Sequence, residues 1–405
     1  MLKLFQINSC VNSSSTGRIA EEMGKTAIKN GWTSYIVYGR NKNTSESHLI
    51  KIGNRWDLYI HVLCTRILDF HGLLSKRVTR KLINRIEEIC PDIIHLHNIH
   101  GYYINYPILF QYLKKSGIPV VWTMHDCWSF TGHCAHFESV HCEKWISQCE
   151  KCPLKKAYPA SYLLDRSENN YNDKKKYFNL IDNLTIVPVS RWLENKVKCS
   201  FLKENKIKMI YNGIDLSVFK PTYNKNLVES LGIKGKFVLL AVATSWSVSK
   251  GLYDYYELSK KIDKDEVLIL VGLTQKQIND LPKGIIGLKR TESVKKLAEF
   301  YTMADIVLNL SYAEALGLTT IEGLACGTPS IVYNATASPE LITEETGAIV
   351  EPGDIQGVLS SIKKIKNRGS QSYANDCRKE VVERFNKDDR YNDYINLYNQ
   401  ILSKK

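Results

Sequence analysis

No apolar run in this 405-residue chain is long enough to cross a bilayer, and the N-terminus turns polar within about ten residues, unlike a secretory leader. The chain is therefore expected in the cytoplasm. Tandem repeats and low-complexity tracts are missing too, which excludes repeat arrays and disordered polar segments. Two nucleotide fingerprints fail on their glycines. Gly17 and Arg18 follow the first apolar run through a polar loop, Asn8 to Thr16, but lack the three-glycine spacing of a nicotinamide site. Gly24-Lys25-Thr26 lacks the upstream glycine of a triphosphate loop and falls late in a helical pattern. The loop before Gly17 can still bring backbone amides against a phosphate or an acceptor.

What is present is an ordinary folded composition, 44% hydrophobic and 24% charged, in a chain longer than one core usually organises, so two domains are expected. The net charge of +13 sits mostly in the first half. Residues 1–205 hold 28 Lys+Arg against 18 Asp+Glu, and residues 206–405 hold 27 against 24. Such an excess favours an anionic partner, a membrane leaflet or nucleic acid. Against nucleic acid, acids interleave the basic residues and no recognition helix or aromatic RNA motif accompanies them. Leu74, Val78, Leu82 and Ile86 recur every fourth residue among Lys76, Arg77, Arg80, Lys81 and Arg85. That helix either lies on anionic lipid or turns its stripe to the core.

Apolar strand runs alternate with helical stretches: Leu2 to Ile7, Ser34 to Val37, Ile93 to Leu96, Val120 to Met124 and Thr185 to Val189, then Phe237 to Val242, Val267 to Val271, Ile306 to Leu310 and Ser330 to Tyr333. The alternation predicts parallel sheets sandwiched by helices, an α/β protein, with a boundary between Trp192 and Asn212 and a new strand opening at Lys206.

The densest chemistry lies in Glu314-Ala-Leu-Gly-Leu-Thr-Thr-Ile-Glu322-Gly-Leu-Ala-Cys-Gly-Thr-Pro329. A helical pattern runs from Leu318 to Ala325, with Gly327 and Pro329 as stop signals. Glu314 precedes the helix and Glu322 lies more than a turn inside it. Free amides near Gly317, Leu318, Thr319 and Thr320 make a phosphate site. One carboxylate can hold a sugar and the other a ribose, with a diphosphate between them. Lys250 follows Phe237 to Val242 and precedes a helical pattern near Leu252, so its ammonium can meet the same diphosphate. His125 closes Val120 to Met124 and is followed by Asp126. His95, His97 and His100 decorate a second rim strand with Asn98 between them. Without an accompanying carboxylate, acceptor binding or packing is expected of them rather than a metal.

These segments resemble retaining glycosyltransferase family four. Tyr211-Asn-Gly-Ile-Asp-Leu-Ser-Val-Phe-Lys-Pro221 is similar to the signature that opens the second domain of these enzymes, and Ser249-Lys250-Gly251-Leu252 to their phosphate lysine. Thr65-Arg-Ile-Leu-Asp-Phe-His-Gly72, Pro91-Asp-Ile-Ile-His-Leu-His-Asn-Ile-His-Gly101 and Trp122-Thr-Met-His-Asp-Cys-Trp-Ser-Phe-Thr-Gly132 resemble a bacterial branch that builds capsule, O-antigen or colanic-acid-like polysaccharide. The resemblance covers nearly the whole chain. It implies the glycosyltransferase B fold, two Rossmann-like domains facing across a cleft. Residues 1–205 would bind the acceptor and carry a Cys-rich insertion near 127–152, residues 206–385 would bind the nucleotide sugar, and a helix over 386–405 would pack back on the first domain.

The implied reaction moves a hexose-type sugar, with retention, from a nucleoside diphosphate sugar to a saccharide acceptor, expected to be lipid-linked, at the inner face of the cytoplasmic membrane. By resemblance the catalytic residues are His125, Glu314 and Lys250. Donor contacts fall to Gly17, Arg18, Ser245, Lys250, Thr291, Glu314, Gly317, Leu318, Thr319, Thr320 and Glu322, and acceptor contacts to His97, Asn98, His100 and Asp126. Many members carry an Arg five residues before the lysine; this chain has Ser245, for which Arg18, Lys289 or Arg290 would compensate. Cationic groups stand where a metal would, and no Asp-x-Asp motif stands among these segments, so no catalytic metal is expected. A same-fold epimerase or phosphorylase is the rival reading.

Five of the eleven cysteines fall between Cys127 and Cys152. Cys134, Cys142, Cys149 and Cys152 make an ordered set ending in one Cys-x-x-Cys. In a reducing compartment such thiols bind metal or stay free. The metal outcome is a structural zinc, with His133, His136 or His141 as substitute ligands.

Overall fold

The computed structural model describes residues 1–404, in two compact units: Met1–Ile210 with the chain from Arg390 onward, and Tyr211–Asp389. The first unit is built on a parallel seven-stranded sheet of β1 (Lys3–Ile7), β2 (Thr33–Tyr38), β3 (His48–Lys51), β4 (Ile93–Leu96), β5 (Val120–Met124), β6 (Leu184–Pro188) and β7 (Lys206–Ile207), in the order β3-β2-β1-β4-β5-β6-β7. Strands β4, β5 and β6 are buried at every position, which is why they read as unbroken apolar runs. The strand expected to open the second domain at Lys206 pairs instead with Thr185 of β6 and extends the first sheet.

Three helices flank this sheet early in the chain: α1 (Ser14–Lys29), α2 (Arg55–Leu68) and α3 (Lys76–Ile89). Val78, Leu82 and Ile86 of α3 are buried, so its apolar stripe faces the core and is not what would meet lipid. The last helix, Lys387–Leu402, sends Tyr391, Tyr394 and Tyr398 into the first unit's core beside Leu4, Met23, Trp32 and Val121.

The second unit carries a parallel sheet of β8 (Phe237–Val242), β9 (Glu266–Val271), β10 (Ile285–Leu288), β11 (Ile306–Asn309), β12 (Ser330–Tyr333) and β13 (Gly347–Val350), in the order β10-β9-β8-β11-β12-β13. Strands β3, β10 and β13, which the sequence reading passed over, are half-covered sheet edges of four residues each, and apolar runs as short as Ile285–Leu288 or Gly347–Val350 do not by themselves mark a strand. In each sheet the strand order reverses beside the first strand, between β1 and β4 and between β8 and β11. Loops at the carboxyl ends of such a pair form the natural ligand crevice of an open α/β sheet. Among the described residues, no helix is long and apolar enough to cross a membrane.

Candidate active site

At the reversal point of the second sheet, the loops leaving β8, β11 and β12 are bound to one another. Gly251 has a left-handed backbone, and a Cβ there would stand 2.1 Å from Leu310 O, so no other residue fits. Tyr312 N–H donates to Ser249 O at 2.9 Å, tying the β8 loop to the β11 loop. Glu314 N–H donates to Thr336 Oγ1, beyond β12, at 2.8 Å. Held in this way, Lys250 Nζ lies 2.6 Å from Glu314 Oε1. Thr336 was missed by the motif reading because its role is through space, not through spacing.

The helix Leu318–Ala325 follows, entered from Gly317 with φ of 94°. The Leu318 and Thr319 amides lead it, where no preceding turn supplies an acceptor. Thr320 departs from its expected role. Its N–H donates to Gly317 O at 3.1 Å and its hydroxyl accepts from Asn309 Nδ2 at 3.0 Å, so it braces the helix start rather than facing a phosphate. Glu322 is buried, with Oε2 accepting from Tyr301 OH at 2.8 Å. Ser245 is exposed after β8; Thr291 is half-buried after β10, beside exposed Lys289 and Arg290.

The motif reading also passed over one Asp-x-Asp tripeptide, Asp263-Lys264-Asp265. It lies at the start of β9, the end of the sheet opposite to Lys250. Lys366 pairs there with Asp265 at 2.9 Å and Glu266 at 3.0 Å, forming a surface ion cluster rather than part of the site.

In the first unit, β1, β4 and β5 carry a relay of hydrogen-bonding side chains. Gln6 Nε2 donates to Ala20 O at 2.9 Å, which leaves Gln6 Oε1 to accept from His97 Nε2 at 3.0 Å. His97 Nδ1 then accepts from His125 Nε2 at 3.3 Å, and this order of donors leaves His125 Nδ1 an acceptor. Burial pushes His125 down to about 4 and His97 well below the ordinary value, so both rings are neutral at pH 7. His97, expected to meet the acceptor, has both nitrogens engaged and is buried, so it positions His125 instead. His95 bonds Tyr398 OH at 2.5 Å and Thr123 Oγ1 at 2.8 Å, a packing role.

His100 Nε2 lies 2.9 Å from Asp126 Oδ2, and its Nδ1 is 3.1 Å from Tyr158 OH. Burial opposes the Asp126 charge, but His100 and the Trp128 amide overcome it and hold the carboxyl well below the usual range. Buried His71 joins this cluster edge-on to Tyr102, Trp128 and Tyr158, with neither ring nitrogen hydrogen-bonded. His71 and Tyr158 are far from Asp126 in sequence, which hid them; the only signal was His71-Gly72 at the end of a segment that carries the family resemblance. The Asn98 amide donates to Asn8 Oδ1 at 3.3 Å. Gly17 and Arg18 lie in the first turn of α1, where a Cβ on Gly17 would stand 3.0 Å from Cys10 Sγ, so this glycine serves loop packing.

The sequence pattern of Glycosyltransferase Family 4 matches residues 16–218, and that of Glycosyl transferases group 1 matches residues 236–367. WcaC of Escherichia coli K12, described as a putative colanic acid biosynthesis glycosyl transferase, is 22% identical, covering 99% of this chain and 100% of its own. The Escherichia coli UDP-Gal:alpha-D-GlcNAc-diphosphoundecaprenol alpha-1,3-galactosyltransferase is 25% identical over 52% of this chain and 58% of its own. Among solved structures, HepE of Anabaena in complex with UDP superposes with a TM-score of 0.68 at 15% identity, covering 99% of this chain and 100% of HepE. The fold is that of the glycosyltransferase B enzymes.

Proposed function

Because the chain belongs to Glycosyltransferase Family 4, we propose that it moves a hexose-type sugar, with retention, from a nucleoside diphosphate sugar to a lipid-linked saccharide in bacterial surface polysaccharide synthesis. The observation that carries this reading is the Lys250–Glu314 pair at 2.6 Å, at a sheet reversal point and next to the Leu318 helix start. In that pair each charge holds the place of a donor group. A diphosphate entering the site takes the Lys250 ammonium and the Leu318 and Thr319 amides; Glu314 is then released to accept bonds from sugar hydroxyls. Glu322, steadied by Tyr301, takes the ribose. As the anomeric bond breaks, negative charge grows on the departing diphosphate, and the ammonium and amides stabilise it there.

The family resemblance implies a same-face route, in which the acceptor enters on the face that the diphosphate leaves and a phosphate oxygen takes its proton. In the first unit, His125 and the His100–Asp126 pair supply polar contacts for the saccharides. One Escherichia coli relative is described as a putative colanic acid biosynthesis glycosyl transferase and the other as a galactosyltransferase acting on alpha-D-GlcNAc-diphosphoundecaprenol, which supports an acceptor at the cytoplasmic membrane surface.

The test is to incubate the purified chain with bacterial lipid extract and a panel of radiolabelled sugar nucleotides. Label is expected in the lipid phase, equally with excess EDTA present, since Lys250 and the amides neutralise the diphosphate. Epimerised nucleotide sugar or free sugar phosphate as the only product would replace this reading with the epimerase or phosphorylase one.

A further inference from the structure

Helix α2 is amphipathic in the reverse sense. It turns His61 and Thr65 inward, whereas Trp56, Tyr59, Ile60, Leu63 and Ile67 are 75, 61, 55, 57 and 37% exposed. Their spacing puts them on one face of the helix. A loop extends this face: Tyr162 N–H donates to Arg66 O at 2.7 Å and Leu164 N–H to Ile67 O at 3.0 Å, bringing exposed Tyr162, Leu163 and Leu164 alongside. Helix α2 is firmly built. A reciprocal Asn54–Asp57 capping box starts it, and His61 bonds Ser75 Oγ and the Gly72 amide. An apolar set of this size on a well-formed helix marks an interaction surface.

The flanks carry one dominant sign. Arg55 and Arg66 on α2, and Lys76, Arg77, Arg80, Lys81 and Arg85 on neighbouring α3, are all exposed, against Asp57, Glu87 and Glu88. We infer that α2 and Tyr162–Leu164 form the face by which this protein inserts into an anionic lipid leaflet. Trp and Tyr with Leu and Ile, rimmed by Arg and Lys, is the composition of an interfacial anchor. A second copy of the chain seated here about a two-fold axis would bring like charges together. The purpose of the face rests on the proposed lipid-linked acceptor, but binding can be tested without sugar transfer.

The full chain is sedimented with vesicles of phosphatidylcholine alone or with about a third phosphatidylglycerol. Wild type is expected to partition to the anionic vesicles and to be released by salt. Trp56→Ser with Leu63→Ser should lower partition at least about tenfold without changing the melting temperature. Arg77→Glu with Lys81→Glu should erase the preference for anionic vesicles. Absence of wild-type binding, or unchanged binding by the Trp56/Leu63 variant, overturns the inference. So does a dimer that this variant splits while neither protein binds vesicles. Vesicle binding without label transfer would sink the transferase reading alone.

A second observation is independent of the first. Between Thr131 and Arg166 regular structure amounts to the turns Glu138–Val140 and Lys144–Ser147, too little to fix so long a segment by itself. Cys134, Cys142, Cys149, Cys152 and His133 line one small pocket within it. His133 Nδ1 is held by buried Asp69 at 2.8 Å, while its Nε2 is buried without a hydrogen-bond partner. The Gly132 and Leu154 amides donate to the Cys149 and Cys152 sulfurs, and the Lys174 ammonium is buried close by on Trp128 O and Thr131 O. The sulfurs do not converge on a point: among the described residues, the donor trio within 4.8 Å of one another is Asp263, Asp265 and Glu266. A change of χ1 rotamer moves a sulfur by a few ångström, so gathering them on one ion requires such changes at these cysteines.

We propose that the four cysteines bind a structural zinc, each thiol giving up its proton, with Lys174 offsetting the negative charge so created. Metal analysis of purified protein should find about one zinc per chain, and Cys134→Ser or Cys149→Ser should lose it. Less than a tenth of an equivalent with every thiol titratable overturns the proposal. Loss of zinc in His133→Gln together with its retention in Cys142→Ser overturns the four-thiolate set.

Discussion

At the scale of single residues, Lys250 and Glu314 neutralise one another, as two groups proposed to face the same ligand can do before it arrives. The pair spares the protein an uncompensated charge while leaving both groups only partly covered. Lys250→Ala removes the cation proposed to meet the growing diphosphate charge, and kcat should fall about 30- to 1000-fold, equivalent to about 2–4 kcal/mol. Glu322→Gln keeps the Tyr301 bond but weakens acceptance from ribose hydroxyls, so KM for the donor should rise with a smaller change in kcat. Steady-state kinetics with the active donor separates the two outcomes, and wild-type values for both variants would remove these residues from the site.

Among the elements, β4 and β5 place His95, His97 and His125 in or beside the sheet, and α2 buries His61. Burial depresses His61 and His125 to about 4, His95 to about 3 and His97 further. An unfolded chain takes up protons on these rings below about 6.5, while the folded chain resists until about 4. The unfolded state therefore binds more protons in this window, and stability must fall as pH drops through it. Thermal melts should show the midpoint declining steadily between pH 6.5 and 4, before the depressed carboxyl of Asp126 contributes at lower pH. His71→Phe, which replaces an unbonded buried imidazole by an apolar ring of similar shape, should flatten that decline. A midpoint constant from pH 7 to 4.5 would contradict the buried neutral state of these rings.

For the whole molecule, two sheets of the same design, each with a reversed strand order, account for the spread of the motifs along the chain. Lys250 and Glu314 are 64 positions apart, yet parallel strands with helical crossovers bring the ends of β8 and β11 side by side. The same principle returns the C-terminal helix to the first unit, where Tyr394 and Tyr398 complete the bonding of Thr123 and His95. The positive excess of the first half also gains a location. The α3 helix offers its basic side chains to solvent while keeping its apolar stripe inside, and the exposed apolar face belongs to α2 beside it.

The central strands and the helix after Glu314 were legible in the sequence because each is marked locally, by an apolar run or a capping glycine. Edge strands β3, β10 and β13 were marked less distinctly, since a run as short as Ile285–Leu288 or Gly347–Val350 does not by itself separate a strand from a loop or a helical segment. Which face of an amphipathic helix meets water was beyond the sequence as well. Periodicity defines a stripe but not its direction, so α3 and α2 had to be told apart by what packs on them. Thr336, Tyr301, His71 and Tyr158 reach their partners only through the fold, and His97 lost its expected ligand role because Gln6 and His125 occupy both its nitrogens. Local chemistry is written along the chain; burial and partnership depend on contacts between distant segments, and those exist only once the chain has folded.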